Sequence, residues 1–336
     1  MHSRRAFLAA SEVDRNAMLS RRAAILVLIA ALPTIGGCAA GSARRERLAL
    51  SVETWSEAPF AGRRLLTPHF ELISTVRDAD FEAALPAFLE AAYQSYGVTL
   101  APPRESESRM STYLFGSRSE WVRFSRRRFP ERFEVYSRIR SGGFTEGGTA
   151  VIFYLDRAAT LATLAHEGWH QYVQAHRGGA IPAWLDEGLA CYHEAVDYSG
   201  DEPRFTPLAN TFRVGSLREA AATGRLMPLS ALIGTDAGRV IRDHNSALAQ
   251  SYYAQTWALV TMLRHGADGR YVESFERMLR EISDGSFAAR LSAERLTGNA
   301  LSDTTRNDAL FRAYFGCSPV DLEEDYEQHV LSLTGL

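Results

Sequence analysis

The 336-residue chain has no lysine: all 37 of its basic residues are arginine. A Walker-type phosphate loop, a pyridoxal Schiff base and a Ser-Lys dyad each need a lysine and are excluded. Cysteine is scarce, with only Cys38, Cys191 and Cys317, too few for a disulfide framework. Neither charge sign dominates, since 40 acidic residues nearly balance the arginines and leave a net charge of -3. That balance gives no reason to expect a nucleic-acid partner. Hydrophobic runs long enough to span a membrane are also missing, because the one sustained run, AAILVLIAALPTI, is too short to cross comfortably. What is present is ordinary globular material, 46% hydrophobic, enough for one large domain or two modest ones.

The N-terminus has the form of an export signal. Arg21 and Arg22 precede the apolar run, which ends in Gly36, Gly37 and Cys38. Ile35-Gly36-Gly37-Cys38 resembles the bacterial lipobox, whose cysteine is acylated and becomes the mature N-terminus. Ala39 after it implies the outer membrane rather than the inner one. The expectation is an exported lipoprotein facing the periplasm, held to the membrane through Cys38. Residues 1–37 would then be the signal peptide and 38–64 a tether.

Residues 65–196 are expected to form an α+β core. HFELIST from His69 alternates apolar and polar residues as a strand does, and Arg109 to Phe115 repeats the pattern. Ala79 to Tyr96 and Arg118 to Phe129 have helical spacing, with Gly97 as the expected cap of the first. The β-α-β-α order predicts a small mixed sheet with helices on one side. SGGFTEGG at 141–148 and AVIFYLD at 150–156 predict a hairpin whose second strand leads into the next helix. The eight arginines between 118 and 140 read as a solvated face. Residues 197–215, rich in proline and glycine, predict a long loop, and the remainder to 336 a helical C-terminal part.

The stretch LATLAHEGWHQYVQ, Leu161 to Gln174, carries the chemistry. On a helix, His166 and His170 share a face and can direct two imidazoles at one metal ion. Glu167 lies beside the first, where it can reach a metal-activated water without occupying the metal. Leu161, Leu164, Ala165, Trp169 and Val173 are spaced for burial. A catalytic zinc needs a third protein ligand. Glu187, 17 residues beyond His170 on a helix opening near Ala183, is the best candidate. Asp186, its rival, points about 100° away around that helix. Ala183, Ala190 and Cys191 are small enough for close packing against the first helix.

HEGWHQYV followed by PAWLDEGLACY resembles the gluzincin metallopeptidases, and is similar to the peptidase MA-like domains of bacterial exported proteins. The resemblance covers roughly residues 67–265. It implies a zincin-like fold, one Zn2+ held by His166, His170 and Glu187, Glu167 as general base, and hydrolysis of a peptide or protein substrate. It also implies a tyrosine donating to the oxyanion, for which SYYAQTWALVTML selects Tyr253, with Tyr252 as the alternative. Where thermolysin-like relatives support a ligand histidine with aspartate, this chain has Cys191, so the support must come from Glu194 or a backbone carbonyl. The aminopeptidase segment that grips a free amino terminus has no clear counterpart; Glu146 in SGGFTEGG is a loose echo. The rival readings are a catalytically silent zinc-binding envelope scaffold and an amidase acting on cell-wall peptides. His176 and His193 are expected at the surface.

Overall fold

The computed structural model describes residues 50–102, 108–140, 142–177, 181–198, 202–242, 246–293 and 303–336. The signal, the lipobox and residues 38–49 of the tether lie outside them. Residues 51–64 do not form a tether. They belong to two antiparallel strands, β1 (Ser51–Glu57) and β2 (Phe60–Leu66), which extend the sheet. The arginines of RRLL had concealed the strand by breaking its apolar alternation. Arg64 bonds Glu71 on the next strand at 2.6 Å, and Arg63 bonds the buried Glu82 at 2.5 Å.

Four more strands complete the sheet: β3 (Phe70–Ser74), β4 (Met110–Phe115), β5 (Gly143–Glu146) and β6 (Thr149–Phe153). Their order is β1-β2-β3-β4-β6-β5, with β3, β4 and β6 mutually parallel and the outer pairs antiparallel. Helices cover both faces of this sheet rather than one. Successive residues of a strand point to opposite sides, and here both sides are apolar. Leu114, Ala150 and Ile152 enter the main core, while Phe115, Val151 and Phe153 pack with Trp121 and Phe124 of the helix Arg118–Arg128. Strands apolar on both faces are the mark of a parallel sheet sandwiched between helices.

The turn joining β5 to β6 has Gly147 and Gly148 at φ 56° and 77°, the conformation a two-residue hairpin requires. After β6, Asp156 accepts a hydrogen bond from the Ala159 amide at 2.8 Å and starts the helix Arg157–Arg177. Gln171 latches that helix to the sheet, donating to the Ser111 carbonyl at 2.7 Å and to the Gly148 carbonyl at 3.0 Å. The helix Ala79–Thr99 runs through Gly97 and crosses the Arg157–Arg177 helix closely. Tyr96 donates to the Ala165 carbonyl at 2.7 Å, and a Cβ on Gly168 would stand 2.6 Å from that hydroxyl.

The helix Ala183–Tyr192 follows, and the part expected as loop contains regular elements. A short strand pair, Val196–Asp197 with Arg204–Phe205, precedes a helix over Thr211–Ala222. Asn210 caps that helix, accepting from the Arg213 amide at 3.1 Å. The long helix Ser246–His265 lies against both preceding helices in one continuous core. Gly188 permits the contact: a Cβ there would be 2.6 Å from the Thr256 carbonyl oxygen and 2.5 Å from Val260. Helices over Leu229–Ile233, Ala237–Arg242, Val272–Asp284, Ser286–Ala293, Asp303–Phe315 and Glu323–Thr334 make up most of the remainder. No helix among the described residues is long and apolar enough to cross a membrane.

Candidate metal centre

His166, Glu167 and His170 lie within the Arg157–Arg177 helix, and Glu187 within the Ala183–Tyr192 helix. The two helices bring three donor atoms together. The Nε2 atoms of His166 and His170 are 3.3 Å apart. Glu187 Oε2 is 3.3 Å from the first and 3.5 Å from the second. That oxygen is buried and accepts no hydrogen bond among the described residues. An ion bound tetrahedrally through bonds of about 2.05 Å keeps its ligand atoms about 3.3 Å apart. The triangle has the size such an ion needs, and a buried, unsatisfied carboxylate oxygen is costly without one.

The other imidazole nitrogen of each histidine has its own carboxylate. His166 Nδ1 is 2.9 Å from Glu194 Oε1, and His170 Nδ1 is 3.2 Å from Asp186 Oδ2. Asp186 is fixed in turn by the Trp169 indole N–H, which donates to it at 2.8 Å. Asp186, the rival ligand of the sequence reading, therefore sits behind His170 rather than beside Glu187. Such partners set the tautomer and aim of a ligating imidazole.

The electrostatics favour a cation. Asp186, Glu187 and Glu194 lie against the histidines, and Arg213 is bound to Glu194. Without an ion, protons serve instead. Burial depresses His170, but Asp186 and Glu187 outweigh it and lift its pKa to about 10; His166 is raised as well by Cys191, Glu187 and Glu194. Burial raises Glu187, but both imidazoles hold its carboxyl well below the usual range. A dication at the triangle would displace the two imidazole protons and leave the charge balance unchanged.

Glu167 lies against the sheet edge. Thr145 Oγ1, from β5, is 2.8 Å from Glu167 Oε2 and 3.1 Å from its carbonyl oxygen. Tyr253, in the Ser246–His265 helix, packs its ring edge-on to His166 with centroids 5.7 Å apart. Burial, with Glu187 and Glu167 nearby, raises its pKa well above normal, so the phenol keeps its proton. Tyr252 is directed elsewhere, donating to the Thr235 carbonyl at 3.3 Å. His166, Glu167, Glu194, Arg213 and Tyr253 line one cleft of about 1370 Å³.

Residues 160–285 match a family described as a protein of unknown function, DUF1570. The matched stretch contains the donor triangle, both supporting carboxylates and Tyr253. No curated protein and no solved structure matches the chain.

The sequence reading missed Asn210 and Arg213, which fall in the stretch expected as loop. Arg213 clasps Glu194 from Nε at 2.7 Å and from Nη2 at 2.5 Å, and Asn210 adds a bond at 3.1 Å. The signal was an asparagine cap followed by Val214, Leu217 and Ala220 at helical spacing. His176 and His193 are buried, not exposed. His193 stacks on Trp169 and meets Ser95 at 3.1 Å, and His176 meets the Tyr93 hydroxyl at 3.1 Å. His176 lies at the end of the helix Arg157–Arg177 and His193 just after the helix Ala183–Tyr192, each packed among aromatic rings. The arginines of 118–140 are not all solvated, since Arg118 donates to the Ser137 and Ile139 carbonyls. Glu146 faces Arg132 at 3.9 Å. Cys191 is a buried free thiol, raised to about 11 by burial, and Cys317 is also unpaired.

Proposed function

We propose that this chain is a zinc-dependent peptidase of gluzincin type with a zincin-like core. The observation carrying that reading is the buried triangle of His166, His170 and Glu187, sized for one tetrahedral ion. Its two-nitrogen, one-oxygen donor set suits a catalytic zinc with an open fourth position. When bound, zinc supplies Lewis acidity, acidifying water and polarising a carbonyl.

The remaining work falls to the chain's own groups. Glu167 takes the proton from the attacking water and passes it to the leaving amine. Thr145 holds one carboxylate oxygen of Glu167 at 2.8 Å and restricts the direction in which the other faces. Tyr253, held in its protonated form, donates to the developing oxyanion, a contribution of about 10²–10³ in rate for one such donor. The outer strand β5 beside Glu167, unpaired on its far side among the described residues, can receive an extended substrate backbone as a further strand. We place the protein in the bacterial envelope, exported and held by lipid at Cys38, on the strength of the N-terminal sequence.

Retention of Glu167 beside the triangle favours an active enzyme over a silent scaffold, which has no use for a base. The test is to measure metal content and cleavage of a quenched library of unstructured peptides. Wild type and Glu167→Gln should each hold one zinc per chain, with only wild type cleaving. Glu187→Ala should lose the metal. A metal-free wild type, or Glu167→Gln with unchanged turnover, refutes the reading.

A further inference from the structure

We propose that Arg213 is a positioning residue shared by the two halves of the site, and that its guanidinium shape, not its charge alone, sets both metal affinity and the placement of Tyr253. The inference rests on the peptidase reading above. Four side chains form a closed circuit. His166 Nδ1 meets Glu194 at 2.9 Å, and Glu194 receives two bonds from Arg213. The Arg213 guanidinium carbon lies 5.3 Å from the centre of the Tyr253 ring, and that ring returns edge-on to His166.

Each link uses a property that lysine lacks. The planar fork matches both carboxylate oxygens, and its flat face can stack on a phenol while the edge is occupied. Arg213 is buried, so thermal wandering of its long side chain is restricted. Asn210 adds rigidity at both ends, capping the Arg213 amide and bonding Glu194. One cation thereby fixes the carboxylate that aims His166 and the ring that carries the oxyanion donor.

If Arg213 merely neutralised Glu194, any cation at that place would serve, and Arg213→Lys would behave as wild type. The proposal expects otherwise. Folding of each variant is checked by circular dichroism, with Glu194→Gln/Arg213→Met as a neutral pair that avoids a buried lone charge. Zinc affinity is read by chelator competition, and ligand geometry by the visible spectrum after cobalt(II) substitution. Arg213→Lys should weaken zinc binding by several-fold to about 10-fold and alter the cobalt spectrum, the low end of what removing an imidazole's outer partner outright does, because Glu194 stays but loses its fixed aim. At saturating zinc it should also lower kcat on the best library peptide without raising KM. That further loss should vanish in a Tyr253→Phe background. A wild type that binds no zinc overturns the metal reading itself. A wild type that binds zinc while Arg213→Lys matches its affinity and cobalt spectrum overturns this inference alone. Independent, multiplying effects of Arg213→Lys and Tyr253→Phe on kcat overturn the link to the tyrosine.

Discussion

If the proposed zinc site is right, Gly188→Ala should weaken metal binding although Gly188 itself supplies no ligand atom. An added Cβ would stand 2.6 Å from the Thr256 carbonyl oxygen and 2.5 Å from Val260 Cγ2. Ordinary contact is well beyond 3 Å, and Thr256 is backbone of a long packed helix, so one helix must move by several tenths of an ångström. Overpacking of this kind costs about 1–3 kcal/mol, and a clash with backbone belongs at the upper end. Replacing a helical glycine returns about 0.5–1 kcal/mol. The net loss is about 2 kcal/mol, or about 3 °C in Tm for a folded part of roughly 300 residues at about 2.1 cal/mol/K per residue. Because Glu187 is the adjacent residue, the same shift drives its Oε2 away from imidazoles now 3.3 and 3.5 Å distant. Gly215→Ala is the control. Its Cβ meets nothing within 4 Å, so that variant should gain about 0.5–1 kcal/mol and keep its zinc. Thermal unfolding and chelator competition read both. A Gly188→Ala protein with wild-type Tm and zinc affinity would refute the packing argument.

Metal-free protein should lose stability as pH rises. The His170 pKa is about 10 folded without metal, against an unfolded value near 6.5. Its contribution is therefore complete below about pH 6.5 and disappears toward pH 10. Zinc instead competes with protons and favours the higher range, so the Tm gap between zinc-loaded and chelated protein should widen from pH 6 to 9; a constant gap contradicts the assignment. Asp186→Asn should weaken zinc binding by about 10- to 100-fold by loosening His170, while Trp169 keeps a partner; titration against a chelator decides it. Thr145→Val should lower kcat with zinc content unchanged, since it frees Glu167 and leaves the triangle alone. Loss of metal in that variant would show that Thr145 serves the fold instead.

Local pattern made much of the site legible. HExxH placed two imidazoles on one helical face because a step of four residues nearly completes a turn. The spacing to Glu187, with small residues around it, was enough to nominate the third donor. The supporting shell was harder to see. Glu194 could be named only as one option, because its side chain reaches His166 through the bend after Tyr192, a contact that no periodicity encodes. Arg213 was hidden because Pro203, Pro207 and Gly215 marked its surroundings as loop, yet Asn210 nucleates a helix there. Strand β2 was hidden for a related reason: its Arg64 pairs with Glu71 on β3 and its Arg63 with Glu82 on the helix Ala79–Thr99.

The sequence by itself pointed to the residues nominated as metal ligands, the helix presenting two of them and the strand-helix alternation of the sheet's inner part, all consequences of chain-local spacing. Tertiary structure decided which acid stands behind which histidine, that Tyr253 and not Tyr252 faces the cleft, and that one arginine joins the two halves of the site. Those outcomes depend on how helices distant in the chain cross, and the crossings are set by contacts such as Gly168 on Tyr96 and Gly188 on Thr256, whose partners lie 72 and 68 positions away.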